Sequence, residues 1–161
     1  MSANDYHFVT HWRVQGTLEE VSAVLSDATD LPRWWPSVYL SVKQAAPQGP
    51  AELITRGRLP YTLHWFFRVI GVRTPRGFSL EAWGDLAGRG TWSFEQDGRF
   101  VNITYDWRIR AEKPLLRYFS FLLRPLFSAN HRWAMARGEE SLKAELARRA
   151  GAGQQSAGQK S

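Results

Sequence analysis

The feature that most constrains this chain is a change of hydrophobic period at Lys113-Pro114. Upstream, Val101, Ile103, Tyr105, Trp107 and Ile109 alternate with Asn102, Thr104, Asp106, Arg108 and Arg110. Downstream, Leu116, Phe119, Leu123, Phe127, Asn130, Ala134, Gly138 and Leu142 recur at spacings of three and four. A period of two belongs to a half-buried strand, and a period near 3.6 to a helix with one buried face. The chain therefore passes from strands into a long C-terminal helix. Pro114 suits the first position of that helix. Pro125 is expected to kink or restart it, because proline removes one backbone hydrogen bond and crowds the preceding turn.

The region before the switch divides at turn residues. Tyr6 to Val14 alternates and forms a first strand, ended by Gly16. Thr17 and Glu20 form a capping box ahead of the apolar stripe Val21, Val24 and Leu25, a short helix to about Ser26. Asp30 is placed to cap a second short helix, closed by Pro36. Six strand segments follow, over residues 38–45, 51–59, 62–73, 77–83, 88–95 and 99–110. Their corners fall at Pro47-Gln48-Gly49-Pro50, at Pro60 and at Asp97-Gly98. Strands joined this closely predict an antiparallel meander. The expected class is α+β: an antiparallel sheet of seven strands followed by a long C-terminal helix, with two short helices between strands 1 and 2.

At 161 residues the chain fits one domain, predicted over 1–150, with a patternless Gly, Gln, Ser and Ala tail over 151–161 that is expected to be disordered. It has no Cys, which excludes disulfides and thiolate chemistry. The net charge of +6 comes from scattered residues such as Arg13, Arg56, Arg89 and Arg148, without a basic tract or nucleic-acid-binding motif. No nucleic-acid partner is expected. The apolar run from Leu115 to Phe127 is interrupted by Arg117, Arg124 and Pro125, and is too short to span a bilayer. The polar N-terminus shows no secretion signal, so a cytoplasmic protein is expected. The four His residues lack metal-ligand spacing beyond His7 and His11, on a face expected to be solvated; neither a metal nor a cofactor is predicted.

Certain segments resemble a known family. They are Leu31-Pro32-Arg33-Trp34-Trp35-Pro36-Ser37-Val38-Tyr39, Gly88-Arg89-Gly90-Thr91-Trp92, Tyr105-Asp106-Trp107, and Asn130-His131-Arg132-Trp133-Ala134-Met135 followed by Gly138-Glu139. Over residues 5–148 the chain resembles the START-like (SRPBCC, helix-grip) superfamily, in its polyketide cyclase/dehydrase-type family. That resemblance implies a helix-grip fold, a seven-stranded curved antiparallel sheet wrapped around the long C-terminal helix, with a cavity between them that takes a small hydrophobic molecule: aromatic, polyketide-like or lipid-like.

The pocket candidates are polar or aromatic groups on faces predicted to point inward. Eight Trp residues supply wide apolar surface, for core or for cavity wall. Trp34 and Trp35 lie on the short helix, one as its anchor and the other over the entrance. Tyr61 sits at a strand corner near the mouth. Trp65, Trp92, Tyr105, Trp107 and Phe127 point inward. Asn130 lies within the apolar stripe and needs a partner: a backbone group freed at Pro125, a water or a ligand. No catalytic residue is identified; His131 and Tyr105 are the candidates for acid-base work, with Asp106 or Glu139 as an orienting carboxylate. His64, Arg68 and Glu81 face outward in the favoured register and inward if it slips by one. Three functions stay open: a binding or transport protein, a polyketide cyclase/dehydratase-like enzyme, or a membrane-surface lipid protein whose basic, aromatic segment at Leu115 to Phe127 contacts a bilayer. Monomer and homodimer are both open.

Overall fold

A computed structural model describes residues 4–46, 49–59 and 61–158. Seven strands form one antiparallel sheet: β1 (Asp5–Gln15), β2 (Tyr39–Gln44), β3 (Ala51–Arg56), β4 (Thr62–Thr74), β5 (Gly77–Gly84), β6 (Leu86–Asp97) and β7 (Phe100–Ala111). The spatial order is β1-β7-β6-β5-β4-β3-β2. Strands β2 to β7 are a meander, and β1 closes against β7 with Phe8 opposite Trp107 and Trp12 opposite Ile103. Because β1 and β2 lie at opposite edges, the link between them must cross the sheet. It does so as α1 (Leu18–Ser26), a 3₁₀ turn (Ala28–Asp30) and α2 (Leu31–Trp34). The chain ends in α3 (Pro114–Tyr118) and α4 (Ser120–Gly158). This is the predicted helix-grip architecture.

Local chemistry explains the boundaries. The Glu20 N–H donates to Thr17 Oγ1 at 3.2 Å and the Thr17 hydroxyl donates to the Glu20 carboxylate at 3.1 Å, so the box caps α1. Val21, Val24 and Leu25 are buried as the stripe requires. Asp30 differs from expectation: it occupies the N-cap position of α2 but makes no capping bond there. Its carboxylate accepts two bonds from Arg33 at 2.7 Å, a charge-assisted pairing stronger than a neutral cap. At the β6–β7 hairpin Asp97 pairs with Phe100, leaving Gly98 and Arg99 as the two-residue turn, with Gly98 at φ +60°. The Pro47-Gln48 and Pro60 corners lie outside the described residues.

The alternation in β7 holds: Val101, Ile103, Tyr105, Trp107 and Ile109 are buried. In β4 the inward set is Leu63, Trp65 and Phe67. His64, Arg68 and Glu81 are therefore on the outer face, where His64 Nε2 meets Glu52 Oε1 at 2.8 Å and Arg68 pairs with Glu81.

Two expectations about the C-terminal helix need correction. The helix is interrupted at Phe119 (φ −110°, ψ 22°), and Pro125 lies inside α4. The restart therefore precedes the proline. Leu122 and Leu123 donate their N–H groups to the Phe119 carbonyl, which begins the new helix. Phe119 is exposed, so the predicted apolar stripe meets the core only at Leu116 and again from Leu123 onward. Helix α4 also continues to Gly158, over a segment the sequence expects to be disordered. Residues 151–153 are exposed, and a Cβ added at Gly151 or Gly153 would meet nothing. Residues 159–161 lie outside the described residues.

Candidate functional site

Between the sheet and α4 lies a cavity of about 90 Å³. One wall is sheet: Leu63 and Trp65 from β4, Leu86 from β6, and Tyr105, Trp107 and Ile109 from β7. The opposite wall is helix: Phe127, Asn130, His131, Ala134 and Met135. Trp35, Val38 and Tyr39 close one end, and Arg56, Gly57 and Tyr61 flank another side. A second cavity of about 40 Å³ lies beyond Trp35, Tyr39, Trp65 and Tyr105, which line both spaces, and reaches Trp92 and Phe78.

The candidate residues divide accordingly. Trp35, Tyr61, Trp65, Tyr105, Trp107, Phe127, Asn130 and His131 come together around the larger cavity. Trp92 reaches only the smaller one, where it stacks on Tyr105 with ring centroids 4.0 Å apart. Trp34 lines neither; it is buried and packs against Trp35 at 5.6 Å. Neither ring covers an entrance, because both are buried (5% and 2% exposed). Trp35 can enter the wall because α4 carries Gly138 against it. A Cβ at that position would stand 2.3 Å from the Trp35 ring. Cavity residues missing from the sequence reading include Tyr39 and Met135. Tyr39 lies at the start of a short, weakly alternating strand, and Met135 sits beside the apolar stripe rather than on it.

Asn130 has a structural partner different from the one expected at Pro125. Its Oδ1 accepts the Arg58 N–H at 2.7 Å. The amide lies so close to Gly57 that any side chain there would clash, with a Cβ only 2.0 Å from Oδ1. Asn130 thus ties the loop after β3 to α4 beside the cavity. On the sheet side the Trp65 ring N–H donates to Thr55 Oγ1 at 3.0 Å, which satisfies a buried hydroxyl in the wall.

Three polar atoms of the cavity residues are buried and have no hydrogen-bond partner among the described residues: Trp35 Nε1, Tyr61 Oη and His131 Nε2. Trp12 and Trp34 carry unpartnered ring N–H groups elsewhere. Burial, reinforced by the Arg132 charge, lowers the His131 pKa to about 4, so the imidazole is neutral at physiological pH. It stacks on Phe8 at 4.0 Å. Burial pushes the Tyr61 phenol up to about 12 and raises Tyr39 and Tyr105 as well. These phenols stay protonated and act as hydrogen-bond donors, not as bases. The expected orienting carboxylates are engaged elsewhere. Asp106 meets His7 Nε2 at 3.0 Å, and Glu139 accepts the Arg13 N–H at 3.0 Å. Neither is paired with His131.

No sequence-family model and no curated protein matches this chain. Solved structures do. A protein from Thermus thermophilus superposes with a TM-score of 0.74 at 16% identity, over 88% of this chain and 97% of that one. An aromatase/cyclase from Streptomyces gives 0.69 at 15% identity, over 91% and 96%. A START superfamily protein from Mycobacterium smegmatis gives 0.66 at 10% identity, over 88% and 97%. Across so little identity the likeness defines architecture: this chain has the START-like, polyketide cyclase-type helix-grip fold. Among the described residues, no helix is long and apolar enough to cross a membrane.

Proposed function

We propose that the protein binds a small, largely apolar molecule carrying one or more oxygen atoms, a phenol or cyclic ketone, in the cavity between sheet and α4. The observation that carries this reading is that three residues lining one aromatic-walled space, Trp35, Tyr61 and His131, each carry a buried polar atom without a partner among the described residues. A buried polar group without a partner costs about 1–3 kcal/mol, and a ligand oxygen placed against Trp35 Nε1–H or Tyr61 O–H recovers part of it. At about 90 Å³ the space is well below the roughly 300 Å³ of typical ligand pockets, so anything beyond one ring requires the wall to move. Aromatase/cyclase and norcoclaurine synthase structures are among those with this architecture, and that supports an aromatic occupant.

The test compares isosteres with and without oxygen. In a tryptophan-fluorescence titration, the one-ring ligand phenol is expected to bind about tenfold tighter than benzene, one recovered hydrogen bond. Equal affinities, or no saturable binding of either, would sink the reading.

A second reading, acid-base catalysis on a bound ketone, is supported by the neutral, partnerless imidazole of His131. Because no carboxylate orients that ring, binding without turnover is the preferred function. A His131→Ala variant that keeps ligand affinity but loses a measurable turnover would reverse that preference.

A further inference from the structure

The segment Pro114 to Leu126 is built unlike the rest of the molecule. Only Leu116 and the following Phe127 anchor it fully, at 1% and 5% exposure, with Leu123 partly buried against the core. Around them Tyr118 is 74% exposed, Phe121 70%, Leu122 61% and Leu126 51%, and Leu115 and Phe119 are nearly half exposed. The helix is interrupted at Phe119, and in the first turns of α4 only the Leu123, Phe127, Asn130 side faces the core and cavity. Phe121 and Pro125 occupy the opposite arc, and Leu122 and Leu126 lie on the flank between the two. Contiguous apolar surface of this kind is uncommon on a monomer and marks a contact face.

The charge around the patch indicates what it contacts. From Lys113 to Gly138 the sequence contains Lys113, Arg117, Arg124, Arg132 and Arg137, and no Asp or Glu. Lys113 lies near Asp85 and Arg137 pairs with Glu140. Arg117, Arg124 and Arg132 are exposed. Arg124 is held at the edge of the patch, donating to the Asp5 carbonyl at 2.8 Å and lying over the Tyr6 ring at 4.7 Å. A two-fold contact between two copies would set arginine rims against each other with no acidic residue of this segment to offset them. An anionic lipid surface offers both an apolar layer for the rings and negative charge for the arginines.

We infer that this face docks the protein peripherally on bilayers containing anionic phospholipid, with Tyr118, Phe121, Leu122 and Leu126 in the interfacial layer and Arg117, Arg124 and Arg132 at headgroup level. The inference is independent of the ligand reading. Leu126 is nevertheless only one helical turn from Asn130, so docking places the Asn130–Arg58 side of the cavity close to the lipid.

The test is co-sedimentation of the full chain with phosphatidylcholine vesicles, with and without phosphatidylserine, at low and high salt. The expected result is binding to the anionic vesicles at low salt, weakened by salt and by omission of phosphatidylserine. The double substitution Phe121→Ser/Leu122→Ser is expected to reduce vesicle binding at least about tenfold while leaving the thermal unfolding midpoint in place. Arg117→Glu is expected to weaken binding to anionic vesicles and leave the residual binding to neutral ones unchanged. Absence of binding at low salt, or binding unaffected by the double substitution, overturns the inference. So does a dimer in sedimentation velocity that the double substitution dissociates, because a second copy would then be the occupant.

Discussion

The two halves of α4 invite comparison. In the C-terminal half, Leu142 and Leu146 are fully sheltered, and Gly138 admits the Trp35 ring. The Glu145 side chain, 4% exposed, accepts from Arg33 at 2.8 and 3.0 Å, from Arg148 at 2.6 Å and from Arg149 at 2.9 Å. This cluster ties α2 to α4. In the N-terminal half, the apolar side chains are turned mostly to the outside, and one amide, Asn130, ties the helix to a loop. The difference teaches that anchoring and site-building are separated along one helix. The anchored half sets the fold, and the lightly held half borders the cavity, where a ligand larger than one ring needs room.

If that division is right, substitutions of similar size should have very different effects in the two halves. Leu142→Ala removes a fully buried side chain and is expected to cost about 2–5 kcal/mol in denaturant unfolding. Glu145→Gln keeps the shape but removes the charge that three guanidinium groups share, with an expected loss of about 1–3 kcal/mol. Hydrogen bonds from Arg33 and Arg148, followed by Arg149, hold the Glu145 carboxyl well below its ordinary range. Its contribution is therefore present above pH about 4.5 and lost as the pH falls below it.

His131 produces an acid sensitivity in a different window. Its folded pKa of about 4 lies below the unfolded value of 6.5, so between these the unfolded chain holds the extra proton. Stability should fall as the pH drops through that interval, by at most about 1.4 kcal/mol per pH unit from this group. Urea unfolding of the native protein and of His131→Asn at several pH values checks this; an unchanged slope in the variant would place the sensitivity elsewhere. The smallest effect is expected at the exposed face. Phe121→Ser should change stability by less than about 0.5 kcal/mol, and a loss like that of Leu142→Ala would mean the face is packed in solution.

What could be read from the sequence also differed between regions. Strand faces were legible down to the inward Tyr105 and Trp107, because a period of two assigns each side chain to one face of a sheet; the facing of His64 and Arg68 depended on a register that the sequence left open. In α4 the spacing of three and four placed Phe127, Asn130, Gly138 and Leu142 on one side. The start of the helix, before Leu123, was not legible. Pro125 drew the expected break to itself, whereas the chain breaks at Phe119, whose exposure no helical spacing could reveal. Periodicity also names a face without naming the partner across it. Asn130 was recognisable as needing one, but its partner comes from a loop after β3, 72 residues away in sequence. Trp34 and Trp35 are adjacent in the chain, yet only one lines the cavity, a distinction set by the space at Gly138.

The central claim, that ligand oxygen meets polar groups inside the cavity, is tested most directly by NMR of the indole N–H signals. The Trp35 resonance would be assigned by its loss in Trp35→Phe. Phenol is expected to move this resonance downfield, the mark of a new hydrogen bond at Nε1, while benzene is not. A saturable ligand that leaves the Trp35 signal in place and perturbs only residues outside the cavity would contradict it.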